Sequence, residues 1–227
     1  GYEQALNQEA AFSIFGGWTR FNLGFGDFEN RSSFKLKSSK VFEGINTFGY
    51  PLFGSKPYIK TKNFLVRNGG QDSRARIWDA AIHELLRTSG VYIDCQAWQP
   101  AHVFLNGKYL GMMNLREESN KQFAYSNYGI DKDEIDQWEN DVVMKEGDKE
   151  MMNKWFDLSY KLVDNPNDTT TWREISDIVD IDEYCNYMAA EIYMGNLDWL
   201  RGGLKNIKGF RAKDDKAKFH ICLLYTS

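Results

Sequence analysis

Residues 103–112 read Val-Phe-Leu-Asn-Gly-Lys-Tyr-Leu-Gly-Met, which is the clearest local folding pattern in the chain. Val103 and Leu105 alternate along the first arm of this stretch. The following Asn106-Gly107 is the dipeptide that suits the type I′ turn of a β-hairpin. Residues 109–112 then return as the partner strand. The stretch therefore predicts an antiparallel hairpin.

The sequence before this hairpin predicts short strands followed by one helix. Residues 33–37 and 63–67 alternate between apolar and polar side chains and lie among turn-forming residues, which is typical of strands. Ser73 can cap a helix that ends near Gly90. The apolar stripe of this helix comprises Ile77, Trp78, Ala81, Ile82 and Leu85.

The sequence after the hairpin predicts one more strand and then mainly helices. Residues 142–145 form the strand, which closes at residues 146–148. Asp180 with Glu183 makes an Asx version of the capping box at the start of a long helix. One face of that helix carries Ile181, Tyr184, Cys185, Met188 and Ile192.

This order of elements predicts an α+β fold. We expect one partial domain over residues 1–221, strand-rich over 1–148 and mainly helical over 149–221. Residues 222–227 correspond to the translation of a transposon-end sequencing adapter, and we expect them not to be native. The domain is accordingly expected to be truncated at both ends.

Composition excludes several classes of protein. Of the 227 residues, 28 are basic and 32 acidic, so the net charge of −4 gives no reason to expect a nucleic-acid partner. Basic residues do concentrate in 31–40 and in 205–218, where they can meet phosphate or form solvated faces. No apolar run is long enough for a membrane span. Cys95 and Cys185 are too few for a disulfide framework.

The segment from residue 195 to residue 208 carries the most informative chemistry. Asp198 follows a periodic helix, and a glycine-bearing loop separates it from Asn206. A carboxylate can orient an attacking hydroxyl or accept its proton, and an amide oxygen can hold a divalent ion against nucleotide phosphates. The alternative is that Asp198 is an ordinary solvated turn residue.

Other catalytic patterns fit the sequence poorly. His83, His102 and His220 are scattered without zinc-protease spacing, and no serine lies in a nucleophile elbow. Residues 131–133 resemble the start of a calcium loop. Because Asp136 occupies the position that requires glycine, a helix is predicted there instead.

Five motifs in order resemble the spore coat protein H (CotH) kinase family of atypical protein kinases. They cover most of the chain, which makes the resemblance more specific than any one motif. The five stretches are residues 31–35, 64–72, 103–111 with 115–117, 196–199 and 206–211.

The resemblance implies roles for individual residues. Asp198 resembles the catalytic Asp, and Asn206 resembles the Asn that ligates Mg²⁺. Lys145 resembles the strand lysine that contacts the phosphates of ATP, and Glu117 is a candidate ion-pair partner for it. Asn106-Gly107 would lie in the hairpin that covers the nucleotide. Lys145 equally fits an ordinary strand-end lysine in a surface ion pair.

The chain departs from the family pattern in two places. Asn206 lies three residues further from Asp198 than in the ordinary kinase loop. A second acidic metal ligand is expected after Ile221, where the adapter-like residues begin. We therefore expect this fragment to be inactive and its full-length parent to be active.

Two functions follow from this sequence. The first is ATP- and Mg²⁺-dependent transfer of a phosphoryl group to Ser or Thr of a protein substrate, in an extracellular or spore-surface setting that the resemblance implies. The second is a non-enzymatic surface or coat module that serves a structural or glycan-contacting role. The aromatic residues between positions 12 and 58 are the basis for the second.

Overall fold

A computed structural model gives the architecture of the chain and confirms the predicted α+β class. It describes residues 3–16, 32–56, 61–69, 77–196, 199, 205–214 and 216–223. These residues form two compact units. The first unit comprises residues 1–85 and 96–118, and the second unit comprises residues 86–95 and 119–226.

The first unit contains a five-stranded antiparallel sheet. The predicted strands and the predicted hairpin are confirmed, and the hairpin arms are longer than the sequence indicated. The strand order is β1-β2-β3-β5-β4. The strands are β1 (Ala11–Ile14), β2 (Phe34–Lys37), β3 (Asn63–Arg67), β4 (Trp98–Leu105) and β5 (Lys108–Glu117), and the short helix α1 (Lys40–Glu43) follows β2.

Aromatic side chains fill the core of the first unit. Phe34, Phe48 and Phe53 are buried together with Phe64 and Met113. The rings of Phe48 and Phe64 meet edge to face at 5.0 Å, a favourable geometry for aromatic pairs. Part of the aromatic content between positions 12 and 58 therefore serves the core, whereas Phe12, Phe42 and Tyr50 are exposed.

Helix α2 (Trp78–Ser89) confirms the predicted helix but buries a different face. Ile77, Trp78 and Leu85 of the predicted stripe are exposed, while Ala80, Ile82 and His83 are buried. The predicted cap, Ser73, lies outside the described residues. The polar side chains of the helix explain the difference, because they have buried partners in the sheet.

The buried partner of α2 is Arg116 on β5, whose side chain has an exposed fraction of 0%. Its guanidinium donates to Asp79 at 3.0 Å and to Gln96 at 2.9 Å. Arg67 on β3 also pairs with Asp79, at 3.2 Å. Burial raises the pKa of Asp79, but the charges of Arg116 and Arg67 outweigh it and hold that pKa below its usual range.

His83 lies beside this pair in its neutral form. Burial and the positive charge of Arg116 lower its pKa to about 3. Its Nδ1 accepts a hydrogen bond from the backbone N–H of Gln96 at 3.2 Å, which leaves the proton on Nε2. The helix and the sheet of the first unit are therefore joined by hydrogen bonds and charge as well as by apolar packing.

The second unit contains a four-stranded antiparallel sheet and most of the helices. The strand order is β7-β6-β8-β9. Two of the strands, β8 and β9, lie in the half of the sequence expected to be mainly helical. The elements are α3 (Lys121–Tyr128), β6 (Ile135–Glu139), β7 (Val143–Glu146), α4 (Glu150–Asp164), α5 (Thr169–Ile178), α6 (Ile181–Tyr193), β8 (Ile207–Ala212) and β9 (His220–Leu223).

The helix predicted around Asp131 to Asp136 is wrong. Asp131 Oδ1 accepts from the N–H of Asp133 at 2.9 Å, and Asp131 O accepts from the N–H of Glu134 at 3.2 Å. These bonds form a turn of the kind that an aspartate side chain stabilises in competition with a helix. Strand β6 begins directly after this turn and supplies the centre of the sheet.

Helix α6 begins as predicted but presents a different face to the core. Asp180 accepts from the N–H of Glu183 at 3.1 Å, which confirms the cap, but the reciprocal half of the predicted capping box is wrong because the N–H of Asp180 donates to Phe219 O at 3.2 Å. The buried side chains include Glu183, Tyr187 and Glu191, whereas Ile192 of the predicted apolar face is exposed. Two buried glutamates are unusual in a helix and require hydrogen-bond partners within the fold.

Strand β9 includes Cys222 and Leu223, two of the residues that the sequence assigns to an adapter. Cys222 is paired with Lys208 in the register of β8 and β9. Backbone pairing of this kind depends little on side-chain identity. The non-native origin of residues 222–227 stays a prediction.

Gly147 is required by the turn that follows β7. Its φ is +73°, and a Cβ built there would lie 2.1 Å from Asp136 Oδ1 and 2.6 Å from Ile135 O. Gly129 has a similar φ of +70° but open space around it. We expect Gly147→Ala to lower the free energy of unfolding by about 2–4 kcal/mol, because strain and overpacking add.

Urea denaturation of the two alanine variants tests this difference. Gly129→Ala carries only the cost of the positive φ, about 1 kcal/mol. If the two variants lose equal stability, the close approach of Gly147 to β6 does not constrain the fold.

Candidate active site

Three charged side chains meet on the sheet of the second unit. Lys145 Nζ on β7 lies 2.6 Å from Glu139 Oε1 on β6. Lys208 Nζ on β8 lies 3.2 Å from Glu139 Oε2. One carboxylate on the central strand therefore holds a lysine from the strand on either side. We call these three residues the lysine–glutamate cluster.

Glu139 is ionised in this arrangement. Partial burial opposes its charge, but the hydrogen bond from Lys145 and the charge of Lys208 hold its pKa below the usual range. Lys208 also donates to the backbone carbonyl of Ser119 at 2.9 Å. Lys145 is the more accessible lysine, with 46% of its side chain exposed against 19% for Lys208. Its ammonium can therefore reach a ligand while Glu139 restrains it.

The backbone at this end of the sheet is strained. Asn140 and Val142, in the turn between β6 and β7, have φ angles of 41° and 59°, and Asn206, just before β8, has a φ of 52°. Within the described residues only Asn106, in the hairpin turn, is another non-glycine residue with positive φ. A β-branched residue such as Val142 rarely adopts this conformation. Such strain concentrates at functional sites.

Asn206 is held in place from both sides along the chain. Before it, Lys205 pairs with Asp141 of the β6–β7 turn at 3.0 Å. After it, Ile207 O accepts from the N–H of Asn140 at 2.9 Å. Asn206 therefore lies at the end of the sheet where the β6–β7 turn and the start of β8 meet. Its amide supplies an oxygen of the kind that Mg²⁺ prefers.

Asp198 lies outside the described residues, so its predicted role stays a prediction. Its neighbours Asn196 and Trp199 are described, and both are buried. No group of three His, Cys, Asp or Glu side chains suited to a metal ion occurs in the described part of the chain. Asn206, in contrast, is a predicted metal ligand whose position the structure describes.

Glu117 has other partners within the first unit. It accepts from Lys56 Nζ at 2.7 Å and from the backbone N–H of Ala97 at 2.7 Å. The predicted pair of Glu117 with Lys145 would join residues of the two units and stays a prediction. In the second unit, Glu139 holds Lys145.

Asn106 and Gly107 form the predicted turn of the hairpin, with φ angles of 49° and 78°. Both angles are positive, as a type I′ turn requires. Near the turn, the rings of Phe104 and Tyr109 lie 4.9 Å apart and both side chains are exposed. The nucleotide-covering role of this hairpin stays a prediction.

Sequence reasoning missed Glu139 and Lys208 as members of this site. Glu139 was missed because β6 was not predicted. Lys208 belongs to the basic stretch 205–218, for which phosphate contact was one of two interpretations.

The described residues form antiparallel sheets with several helices, and one sheet carries a lysine restrained by a glutamate. These features define a mixed α+β protein that is consistent with a kinase-like fold. The family model described as CotH kinase protein matches residues 13–222. The chain belongs to the CotH kinase family.

Membership of this family suggests protein kinase activity and implies ATP as the phosphoryl donor. No curated protein matches the chain. Among the described residues, no helix is long and apolar enough to cross a membrane.

Proposed function

We propose that this chain is the core of a kinase domain that uses ATP and Mg²⁺ to phosphorylate Ser or Thr hydroxyls of a protein outside the cell or on a spore surface. The observation that carries the proposal is the lysine–glutamate cluster on the sheet that also bears Asn206. A restrained lysine near a candidate metal ligand suits the phosphates of a nucleotide.

Each residue has a distinct role in the proposed reaction. Asp198 orients the attacking hydroxyl and accepts its proton. Lys145 contacts the phosphates, and Glu139 keeps its ammonium in position. Asn206 contributes an amide oxygen to Mg²⁺, which neutralises charge on the phosphates when it is bound.

The charges at this end of the sheet fit a polyphosphate. Lys145, Lys205 and Lys208 face two carboxylates, those of Glu139 and Asp141. Among these described residues, the lysines therefore outnumber the carboxylates by one before a ligand binds. A nucleotide triphosphate complexed with Mg²⁺ carries a net negative charge. It would therefore be attracted to this excess of positive charge.

Glu117 and Asn106-Gly107 complete the proposal in the first unit. Glu117 is proposed to exchange its pair with Lys56 for one with Lys145. The hairpin turn at Asn106-Gly107 is proposed to cover the nucleotide.

Replacing Lys145 by methionine in the full-length protein tests the nucleotide site. We expect Mg²⁺-dependent ATP binding to weaken about 10- to 100-fold, because a charge-assisted contact to phosphate is lost. Isothermal titration calorimetry measures the affinity directly. The free energy of unfolding should change little, since more than a third of this side chain is exposed.

Lys121 provides the matched control. Lys121 pairs at 3.1 Å with Glu146, which lies on β7, the strand that also carries Lys145. The exposed fraction of the Lys121 side chain is 34%. Lys121→Met should leave ATP affinity within a factor of about two. Equal affinities for the two variants, or no ATP binding by the unmodified protein, would contradict the proposed site.

A further inference from the structure

The end of α6 is fixed by a complete Schellman motif. Gly195 has a φ of 63°, and its N–H donates to Ile192 O at 3.1 Å. The N–H of Asn196 donates to Glu191 O at 3.1 Å. These are the two backbone bonds that end a helix in this motif. The chain therefore leaves α6 in a defined direction, two residues before Asp198.

Asn196 is tied to Glu191 a second time through its side chain. Its Nδ2 donates to Glu191 Oε2 at 2.7 Å. Glu191 is 1% exposed and Asn196 is 6% exposed, so this bond is shielded from water. Asn196 is thus fixed by both backbone and side chain to one buried glutamate.

Trp199 provides an anchor on the other side of Asp198. It is buried, and its ring meets the ring of Tyr187 edge to face, with centroids 5.6 Å apart. Tyr187 lies one helical turn before Glu191, and its hydroxyl is near the Glu191 carboxyl without a hydrogen bond to it. The two anchors therefore converge on the same pair, Tyr187 and Glu191. Only Leu197 and Asp198 lie between them in the sequence.

A glutamate is a costly choice for this position. Its Oε1 is buried and has no hydrogen-bond partner in the described part of the chain. Burial raises the pKa of Glu191 to about 7, although the hydrogen bond from Asn196 opposes the rise. A glutamine would accept the same bond from Asn196 without burying an ionisable group. Packing and the bond to Asn196 therefore do not require an ionisable carboxyl, which indicates a further role for its charge.

We propose that Glu191 is a positioning residue that holds Asp198 for phosphoryl transfer through Asn196, and that the hold is firmest when its carboxyl is ionised. The inference rests on the proposed kinase function. An ionised carboxylate accepts a stronger hydrogen bond from Asn196 than a neutral acid does. Tyr184 on α6 and Cys222 on β9 are the other titratable groups that act on Tyr187.

Stability and activity should respond to pH in opposite directions. The pKa of Glu191 is about 7 in the folded state against an ordinary value of 4.5. Its contribution to stability is therefore fully present below pH 4.5 and is lost as the pH rises through about 7. The hold on Asn196 strengthens over the upper part of the same range. A purely structural role would make activity follow stability.

The test is the pH profile of kcat for the full-length protein and its Glu191→Gln variant. The unmodified protein should gain activity as the pH rises through about 7. Glu191→Gln should lack this rise, with kcat about 5- to 10-fold lower at pH 8 and KM for ATP unchanged. Its stability should fall less with pH over this range, because the buried carboxyl no longer titrates. The exposed Glu174→Gln is the control and should behave as the unmodified protein.

Parallel measurements separate failure of this inference from failure of the proposed function. If Asp198→Asn abolishes transfer while Glu191→Gln keeps the kcat and pH profile of the unmodified protein, the positioning role is wrong and the kinase function stands. If the unmodified protein transfers no phosphate, the proposed function is wrong. Should Glu191→Gln fail to fold, Asn196→Ala removes the donor to the carboxylate and should lack the rise in kcat above pH 7. An unchanged profile in Asn196→Ala would overturn the inference.

Discussion

Asp198→Asn is expected to lower the kcat of phosphoryl transfer by about 10³-fold in the full-length protein. Asparagine has nearly the shape of aspartate but cannot accept the proton of the attacking hydroxyl. The loss corresponds to about 4 kcal/mol of transition-state stabilisation. KM for ATP should stay within a few-fold, because the phosphates are held by other residues. Transfer of labelled phosphate from ATP to a protein acceptor measures both constants.

Asp182→Asn is the control for this experiment. Asp182 is an exposed carboxylate in the first turn of α6, the helix that precedes Asp198. Its replacement should leave kcat unchanged within about twofold. If the unmodified protein is active and Asp198→Asn keeps more than a tenth of that activity, Asp198 does not act on the hydroxyl.

Arg116→Met is expected to lower the free energy of unfolding by about 3–5 kcal/mol. Arg116 is fully buried in the first unit, and its guanidinium supplies bonds to both Asp79 and Gln96. Methionine can fill much of the volume but leaves Asp79 with less compensating charge. Urea denaturation followed by circular dichroism measures the loss.

Arg67→Met is the control for the buried charge. Arg67 pairs with the same carboxylate, but 20% of its side chain is exposed, so its replacement should cost only about 1 kcal/mol. In Arg116→Met the pKa of His83 should also rise from about 3, since the charge of Arg116 contributes to lowering it. Equal losses for the two variants, together with an unchanged titration of His83, would show that Arg116 does not organise this part of the core.

Short-range patterns in the sequence predicted much of the local structure. The Asn106-Gly107 turn, the strand ending before Gly147 and the Asp180 cap all have the predicted geometry. Each depends on contacts within a few residues, where backbone conformation and neighbouring side chains decide the outcome. For the same reason, the motifs that resemble the CotH kinase family were readable without a structure.

The buried faces of α2 and α6 were not predictable in this way. Apolar periodicity selected faces that include Leu85 and Ile192, both of which are exposed. The structure instead buries His83 on α2 and Glu191 on α6, together with Tyr187. These polar groups are buried because distant residues satisfy them, as Gln96 does for His83. A periodicity of apolar residues cannot detect such partners.

The candidate site was likewise predictable from the sequence only in part. The sequence proposed Lys145 and Asn206, and it proposed Glu117 as the partner of Lys145. The structure gives Lys145 a partner in the same sheet, Glu139, and gives that glutamate a second lysine, Lys208. Strand order determined this cluster, since β6 lies between β7 and β8 only after residues about 70 positions apart have paired.

The sequence by itself determined the family and the α+β class and suggested residue types suited to phosphoryl transfer, because these depend on motif order and local geometry. The tertiary structure alone decided which carboxylate restrains Lys145 and which buried acid anchors the chain before Asp198. In both cases, burying a charged group costs free energy. The fold determines which long-range partners offset that cost.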